Sequence, residues 1–213
     1  MATNKDTFLE SVVEAVCQVL ELQNSDGELD LENAKVIVAA RMALSQLEAE
    51  CRRPFRYEVY TYEFPNIEDI VDLVITPVDT SKDIIVTFCG QVVDSENYTV
   101  VGNRITFLNN FNFNAFTFGF DSEDELYKQM IQITHTGGYK KASAESTLED
   151  ALVMQTMANY NRAAITGLSS IGTAGRGSIS EGTISPSNSG RLLDAVSQLV
   201  EPFIYYGGGA RLL

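Results

Sequence analysis

The sequence predicts an α+β fold: a helical bundle of about four helices with an inserted small antiparallel β-sheet and a flexible C-terminal tail. Three patterns indicate this class. Apolar residues recur at three- and four-residue steps near both ends of the chain, they alternate with a period of two in the middle, and three successive glycines stand close to the C-terminus. In a single domain, 1–213, the helices are expected at about 6–22, 30–52, 146–166 and 189–202, the strands within about 56–139, and the tail at 203–213.

The first two helices are indicated by their end signals and by one apolar stripe each. Thr7 precedes Glu10 by three residues, which is the spacing of a capping box. The helical pattern breaks at Gly27, resumes at Asp30 and stops before Pro54. The residues expected to face the core are Phe8, Val12, Val16, Val19 and Leu20 in the first helix, and Ile37, Ala40, Leu44, Leu47 and Cys51 in the second.

From Arg56 onwards the apolar period changes to that of β-strands. The segment "RYEVYTYEF" carries aromatic residues on both of its faces, and "DIIVTFCGQVV", "ENYTVVGNRITFL" and "LYKQMIQITHTGG" supply further strands. Within the second of these, "VGNR" indicates a tight turn with Gly102 or Asn103 at positive φ. These segments together predict a small antiparallel sheet.

Helical periodicity returns after the strands. Ser146 and Glu149 repeat the capping-box spacing, and the helix that follows is apolar on most sides, which predicts that it is central and buried. A long segment of glycine, serine and threonine separates it from a last helix, "NSGRLLDAVSQLVEPF", that stops near Pro202. The glycines beyond it predict a tether that carries a small apolar and cationic tip at residues 211–213.

Charge and hydropathy exclude several classes of protein. The formal net charge is −14 and is spread along the chain, so we expect no basic face for stable nucleic-acid binding. No apolar run approaches the roughly 20 residues of a membrane-spanning helix. The N-terminus lacks the pattern of a signal peptide, which favours a cytosol-like compartment without a membrane partner.

The residues that bind metals and cofactors do not form a recognisable pattern. Cys17, Cys51 and Cys89 are widely spaced in apolar segments, far from the only histidine, which favours buried thiols over a metal site. The acidic residues 26–32 lack the ligand order of an EF-hand loop. The sequence "GTAGRG" follows a helix instead of linking a strand to a helix start, so we expect no phosphate loop and no cofactor.

No catalytic site is predicted either. His135 lies in a strand, where a histidine is more often a packing residue than a general base, and no serine stands in a G-x-S-x-G elbow. The chain is therefore not expected to be an enzyme, and its chemistry is expected to be assembly. A small hydrolase or transferase that uses His135 is the alternative from another class.

The most unusual segment is "NNFNFNAFTFGFDSEDE", which concentrates phenylalanines on a short ribbon. Burying one phenylalanine contributes about 1.5 to 3 kcal/mol, so a ribbon left in water would be costly and prone to aggregation. Two surfaces remain as alternatives for burying the phenylalanines: the chain's own sheet, or another protein chain. In the second case Asp121 to Glu125 would form the hydrated, charged rim of the interface. The residues concerned are Phe111, Phe113, Phe116, Phe118 and Phe120.

The order of these elements resembles the head-to-tail connector, or adaptor, family of tailed bacteriophages. The resemblance covers nearly the whole chain and departs from the family at His135 and in the enlarged phenylalanine-rich hairpin. The motifs that carry it are Arg53 with Phe55 after the second helix, Gly137, Gly138 and Tyr139 at the end of a strand, and Tyr160 and Arg162 before Gly167 in the third helix.

The resemblance implies a structural virion protein of the neck, between capsid and tail, that is assembled in the host cytoplasm. Such a protein forms a homo-oligomeric ring, typically of twelve copies, below the portal protein; it extends the DNA channel and docks the downstream neck or tail protein. An acidic lumen lets DNA pass without holding it. The purified chain is then expected to be monomeric or weakly associated and to form rings mainly on a portal.

The resemblance also assigns two contact surfaces. The phenylalanine ribbon becomes a subunit or neck interface, and the tail becomes the portal contact. A tail terminator or other neck ring is the nearest alternative, and a small soluble regulatory module is a further one. The residues assigned to the portal are Phe203, Tyr205, Tyr206, Arg211, Leu212 and Leu213.

Overall fold

The computed structural model describes residues 6–64, 70–88, 90–108, 131–168, 192–205 and 211–212. The chain divides into two compact units. One comprises Met1–Arg52 and Lys141–Ile204 and is helical, and the other comprises Arg53–Lys140 and Tyr205–Leu213 and is built of strands. Four helices and small antiparallel sheets confirm the predicted α+β class. The expectation that both units act as one domain stays a prediction.

In the described part of the helical unit there are four α-helices, which pack against one another. Two short 3₁₀ turns, Ala142–Ala144 and Glu201–Phe203, precede the third helix and follow the fourth. The helices are α1 (Glu10–Val19), α2 (Ala34–Cys51), α3 (Ser146–Leu168) and α4 (Asp194–Val200).

Helix α1 is shorter at both ends than its sequence pattern suggests. Its N-cap is Leu9, which provides no side-chain hydrogen bond, so the expected capping box does not start this helix. The helix ends at Leu20 and the next residue, Glu21, has a left-handed φ of 52°. Val19 is 59% exposed instead of buried, because it lies off the face that the buried residues Val12, Val13, Val16 and Cys17 share.

Helix α2 has defined caps at both ends. The side chain of Asn33 accepts hydrogen bonds from the amides of Lys35 and Val36, and Arg52 ends the helix in the left-handed conformation. Its buried face is rich in alanine, and small side chains allow another helix to pack closely against it. The buried residues are Val36, Ala39, Ala40, Ala43, Leu44, Leu47 and Cys51, as the apolar stripe predicts for four of its five members.

Helix α3 packs against α1, α2 and α4 and buries polar side chains as well as apolar ones. The Gln155 Nε2 atom donates to Gln46 Oε1 at 2.8 Å, and Gln155 Oε1 accepts from the Leu193 amide at 3.0 Å. Asn159 Nδ2 donates to the same Gln46 oxygen at 3.0 Å. This network joins α2, α3 and the residue before α4, and the apolar periodicity of α3 gave no sign of it.

Replacing Gln155 by alanine is expected to lower the free energy of unfolding by about 1 to 3 kcal/mol, because the Leu193 amide loses its partner in a buried position. Gln18, which is exposed on α1, provides the matched control, and Gln18→Ala should stay within about 0.5 kcal/mol. Urea unfolding followed by circular dichroism measures both variants. Equal losses would contradict the role of the network.

The described strands form two antiparallel sheets instead of the single sheet that the sequence predicts. The first has five strands in the order β4-β3-β7-β1-β8. Its central strand β7 pairs along its whole length with β1, from Glu58 opposite Gly137 to Phe64 opposite Ile131. The strands of this sheet are β1 (Glu58–Phe64), β3 (Ile85–Phe88), β4 (Gln91–Val92), β7 (Ile131–Gly137) and β8 (Arg211–Leu212).

The second sheet has three strands in the order β2-β6-β5, with bounds Ile70–Asp72 for β2, Tyr98–Val101 for β5 and Arg104–Phe107 for β6. Gly102, in the turn between β5 and β6, has a φ of 62°, which confirms the predicted tight turn. Arg104 and Asp72 form an exposed ion pair at 2.7 Å across β6 and β2.

The core of the strand unit forms where alternate residues of these strands point inward. On β1 the inward residues Tyr60, Tyr62 and Phe64 are buried, whereas Val59 is 67% exposed on the outward face. The remaining core residues come from β2, β3, β6, β7 and the segments after β2 and β4; they are Val71, Leu73, Val74, Ile75, Val86, Phe88, Val93, Ile105, Phe107, Ile131 and Ile133.

Among the described residues, no helix is both long and apolar enough to cross a membrane.

Candidate functional site

The C-terminal residues assigned to portal contact begin at the end of the helical unit. Phe203 closes the last 3₁₀ turn and is half-buried. Tyr205 is also half-buried and packs against the core of the strand unit. Tyr206 and Leu213 lie outside the described residues.

Two further residues of this tail, Arg211 and Leu212, form strand β8 on the outer side of β1. Leu212 lies opposite Tyr62 and Arg211 lies opposite Glu63, in antiparallel register. The sequence predicted a tether whose apolar and cationic tip docks on another protein. The backbone contact with β1 was not foreseen, because two residues after a run of glycines carry no strand pattern. The tail is thereby brought to one edge of the five-stranded sheet.

Among the residues that the structure describes, the β1 edge is covered over only part of its length. Strand β1 has seven residues, and β8 pairs with two of them. Unpaired strand edges present amide and carbonyl groups that can pair with another chain. The exposed Val59 lies on the same strand, in the part that β8 does not reach.

The opposite edge of the same sheet is formed by β4. Val92 is 69% exposed there, and Ile85 on the neighbouring β3 is 45% exposed. An open groove of about 810 Å³ lies beside this edge and is lined in part by Ile85, Val92, Tyr98 and Val100. Val92 and Ile85 thus place two exposed β-branched side chains beside this groove.

The five phenylalanines of the ribbon, residues 111 to 120, lie outside the described residues, and their assignment to an interface stays a prediction. The chain is described up to Leu108, whose amide donates to the Asn97 carbonyl at 2.9 Å. It is described again from Ile131, which pairs with Phe88 on β3. The segment that contains the ribbon therefore follows β6 and precedes β7 in the chain.

The arginine and aromatic pair of the family resemblance is in contact. The guanidinium carbon of Arg53 lies 5.4 Å from the centre of the Phe55 ring, and Arg53 Nη1 donates to Thr76 Oγ1 at 2.5 Å. Arg53 is only 8% exposed and Phe55 is fully buried. A charge over an aromatic face in a dry environment contributes to stability, so this pair anchors the segment between α2 and β1.

His135 is buried in the same unit, with 1% of its surface exposed. Its ring lies 5.4 Å from that of Tyr62, and neither ring nitrogen has a well-formed hydrogen bond among the described residues. Burial lowers the pKa of the imidazole, and the nearby backbone of Thr136 offsets only part of this effect. A general base must reach its substrate, so this geometry gives His135 a packing role.

A polar cluster that the sequence analysis did not single out lies around Asp79. Its carboxylate accepts hydrogen bonds from the hydroxyl and the amide of Ser81, at 2.6 and 3.0 Å, and from the Tyr57 hydroxyl at 2.5 Å. These bonds lower the pKa of Asp79 to about 2. The Lys140 ammonium lies 4.8 Å from the centre of the Tyr57 ring. Asp79 is thus held as an anion that orders a loop.

Metal-binding residues do not converge in the part of the chain that the structure describes: no group of three or more His, Cys, Asp or Glu side chains could hold an ion there. Cys17 and Cys51 are buried free thiols. Burial, and secondarily the charge of Asp30, raise the pKa of Cys17. Cys89 lies outside the described residues.

The fold is that of solved neck proteins. No known protein-family model and no curated protein matches the sequence. A chain in the neck of an empty GTA (gene transfer agent) particle, solved with C6 symmetry, superimposes with a TM-score of 0.57 at 18% identity, over 98% of this chain and 96% of that one. A chain in the neck of a native GTA particle, solved with C12 symmetry, gives a TM-score of 0.52 at 15% identity, with the same coverage.

Proposed function

We propose that this chain is a structural protein of the neck of a phage-like particle and, more specifically, a head-to-tail adaptor. In this role, copies form a ring below the portal protein, extend the DNA channel and dock the downstream neck or tail component. The observation that carries the proposal is the shared fold with neck chains over 98% of the sequence. At 15 to 18% identity this likeness concerns the fold, and the specific role is our inference.

A ring of twelve copies is the arrangement we favour. One of the two similar neck chains comes from a particle solved with C12 symmetry and the other from one solved with C6 symmetry. A ring requires two different surfaces on each copy that fit one another head to tail. The phenylalanine ribbon is our candidate for one such subunit or neck contact, and the tail from Phe203 to Leu213 is our candidate for the portal contact.

The net charge of −14 supports a conduit for DNA. A duplex that has to slide through a ring is slowed by lysine and arginine contacts to its phosphates, whereas a surface of aspartate and glutamate repels it. We therefore propose that DNA passes through the lumen without being bound.

Sedimentation velocity of the purified chain, alone and mixed with the portal protein of the same particle, tests this proposal. The chain alone is expected to sediment as a monomer or a weak oligomer, and the mixture to contain rings bound to the portal. A tight dimer that does not bind the portal would contradict the adaptor role.

Analysis of particles purified on a density gradient distinguishes the adaptor role from the alternative roles. Mass spectrometry should find the chain in intact particles, and electron microscopy should place it between portal and tail. A ring found at the far end of the neck would indicate a tail terminator, and absence from the particles would indicate a soluble regulatory module.

A further inference from the structure

The five-stranded sheet of the strand unit has two edges of different kinds. At one edge, β1 is covered by the two residues of β8, which come from the far end of the chain. At the other edge, β4 also has two residues, Gln91 and Val92, and among the described strands it has no partner on its outer side. Two different edges on one chain are what a head-to-tail contact between identical copies requires.

The strand directions of the two edges match. Each neighbouring pair in the order β4-β3-β7-β1-β8 is antiparallel, so β4 and β8 run in the same direction as β7. A β4 strand from a second copy could therefore replace β8 beside β1 and continue the antiparallel alternation. In length and in direction, β8 occupies the place that such a strand would take.

The hydrogen-bonding groups of β4 are suitably placed. The Val93 amide donates to the Val86 carbonyl at 2.8 Å, so by the alternation of an antiparallel ladder the amide and carbonyl of Val92 point away from β3. Val92 lies opposite Thr87 and shares its outward face. A continuous sheet would bring Val92 opposite Thr61 or Glu63, which are the outward residues of β1 in this region.

We propose that the β1 edge of one copy accepts β4 of the adjacent copy in place of its own β8, so that the sheets of neighbouring copies join head to tail. The proposal rests on the ring described under the proposed function and names the contact that closes it. Strand β8 then acts as a cap that keeps the β1 edge occupied while the chain is alone. When the tail leaves β1, as portal contact requires, the acceptor edge opens.

The dimensions of such a ring leave room for DNA. At a strand spacing of about 4.8 Å, twelve copies that each contribute four strands would form a belt about 230 Å around and about 70 Å across, which is wider than a DNA duplex. The belt needs no charged contacts, so the acidic surface stays available for the lumen.

The first test removes the cap. A chain that lacks residues 211–213 is expected to self-associate without portal in sedimentation velocity, at concentrations where the unmodified chain sediments as a monomer. Because truncation could unfold the chain, a full-length Arg211→Pro variant accompanies it. By the alternation of the ladder the Arg211 amide, opposite Glu63, points towards β1, and proline cannot donate that hydrogen bond. Circular dichroism checks that each variant is folded.

The second test identifies the contact. In the uncapped background, copies that carry Glu63→Cys are mixed in equal amounts with copies that carry Val92→Cys and are oxidised, so that any disulfide between the new cysteines joins two copies. Val101→Cys on β5 is the matched control, because Val101 is a valine on another edge strand and is 75% exposed. The mixture without new cysteines measures the background from Cys17, Cys51 and Cys89.

Disulfide-linked dimers that form with Val92→Cys, and that stay at background with Val101→Cys, would support the proposal. Rings in which Val92→Cys links no better than Val101→Cys would overturn the edge contact and leave the proposed function intact. If both folded, uncapped variants remain monomeric, the edge contact is overturned. Linked copies that electron microscopy shows as open filaments would support the edge contact and contradict the ring.

Discussion

Replacing Gly138 by alanine is expected to abolish the native fold of the strand unit. Gly138 has a φ of 94°, and an added Cβ would lie 2.1 Å from the Arg56 carbonyl oxygen and 2.6 Å from its carbon. These are backbone atoms that cannot rotate away. The contact is fixed on both sides, because the Gly138 amide donates to the Pro77 carbonyl at 2.9 Å and the Tyr139 amide donates to the Phe55 carbonyl at 2.8 Å.

The expected loss exceeds about 4 kcal/mol, a large part of the 5 to 15 kcal/mol by which domains are usually stable. Gly102→Ala is the matched control: Gly102 also has a positive φ, 62°, but nothing lies within 4 Å of its added Cβ. The control should lose only about 1 to 2 kcal/mol, the cost of the left-handed conformation. Urea unfolding and limited proteolysis measure both, and similar losses would show that close approach at Gly138 is unimportant.

Lowering the pH is expected to destabilise the chain because His135 becomes protonated, and this loss begins well above the pH at which carboxylates titrate. Burial lowers the pKa of His135 in the folded state, whereas the unfolded chain has a value of about 6.5. The unfolded state therefore binds the proton more readily. The stability that the chain keeps while His135 is neutral is complete above the unfolded-state pKa of His135. It is lost as the pH falls from about 6.5 to the lower folded-state pKa, and the free energy of unfolding then falls by at most about 1.4 kcal/mol per pH unit.

The surroundings of His135 favour this outcome. Tyr62, whose ring is in contact with it, stays neutral because burial raises the pKa of its hydroxyl. The ring lies close to the Gly137 backbone, where an added Cβ would lie 3.1 Å from its Cε1 atom. An imidazolium at this position would be a charge in an apolar core.

Unfolding free energies measured between pH 5 and 8 check this prediction. His135→Met, which keeps a side chain of similar size without a titrating group, should remove most of the slope between pH 5 and 7. If the variant keeps the slope of the unmodified chain, another group is responsible. If His135 were the general base of a hydrolase or transferase, His135→Met would also abolish that enzymatic activity. We expect no such loss, because the buried ring does not reach a substrate.

Much of the fold could be predicted from local patterns. The apolar stripe of α2, the strand alternation of β1 and β7 and the turn at Gly102 depend on residues close together in sequence, so their periodicity and end signals suffice. The end of α1 at Leu20 was mispredicted, because the left-handed residue that follows, Glu21, gives no sequence signal.

The candidate interface was predictable only in part. The motif residues Arg53 and Phe55 were identified and do pack together, and the tail was identified as a contact segment, although portal binding by its residues stays a prediction. Its position on β1 was missed. The register of Glu63 with Arg211 joins residues far apart in the chain, and a two-residue strand has too few side chains to specify a partner.

The sequence by itself therefore determined the α+β class, the order of helices and strands, the acidity and most buried faces, because each follows from composition or from the period of nearby residues. Only the tertiary structure decided that the described strands form two sheets, that Gln155 connects three segments of the helical unit, and that His135 lies in a dry core. It also decided that Arg211 and Leu212 cover one edge of a sheet whose other edge has no partner among the described strands. These features depend on contacts between distant residues, and such contacts are selected by the free energy of packing the whole chain, to which any short stretch contributes only a small part.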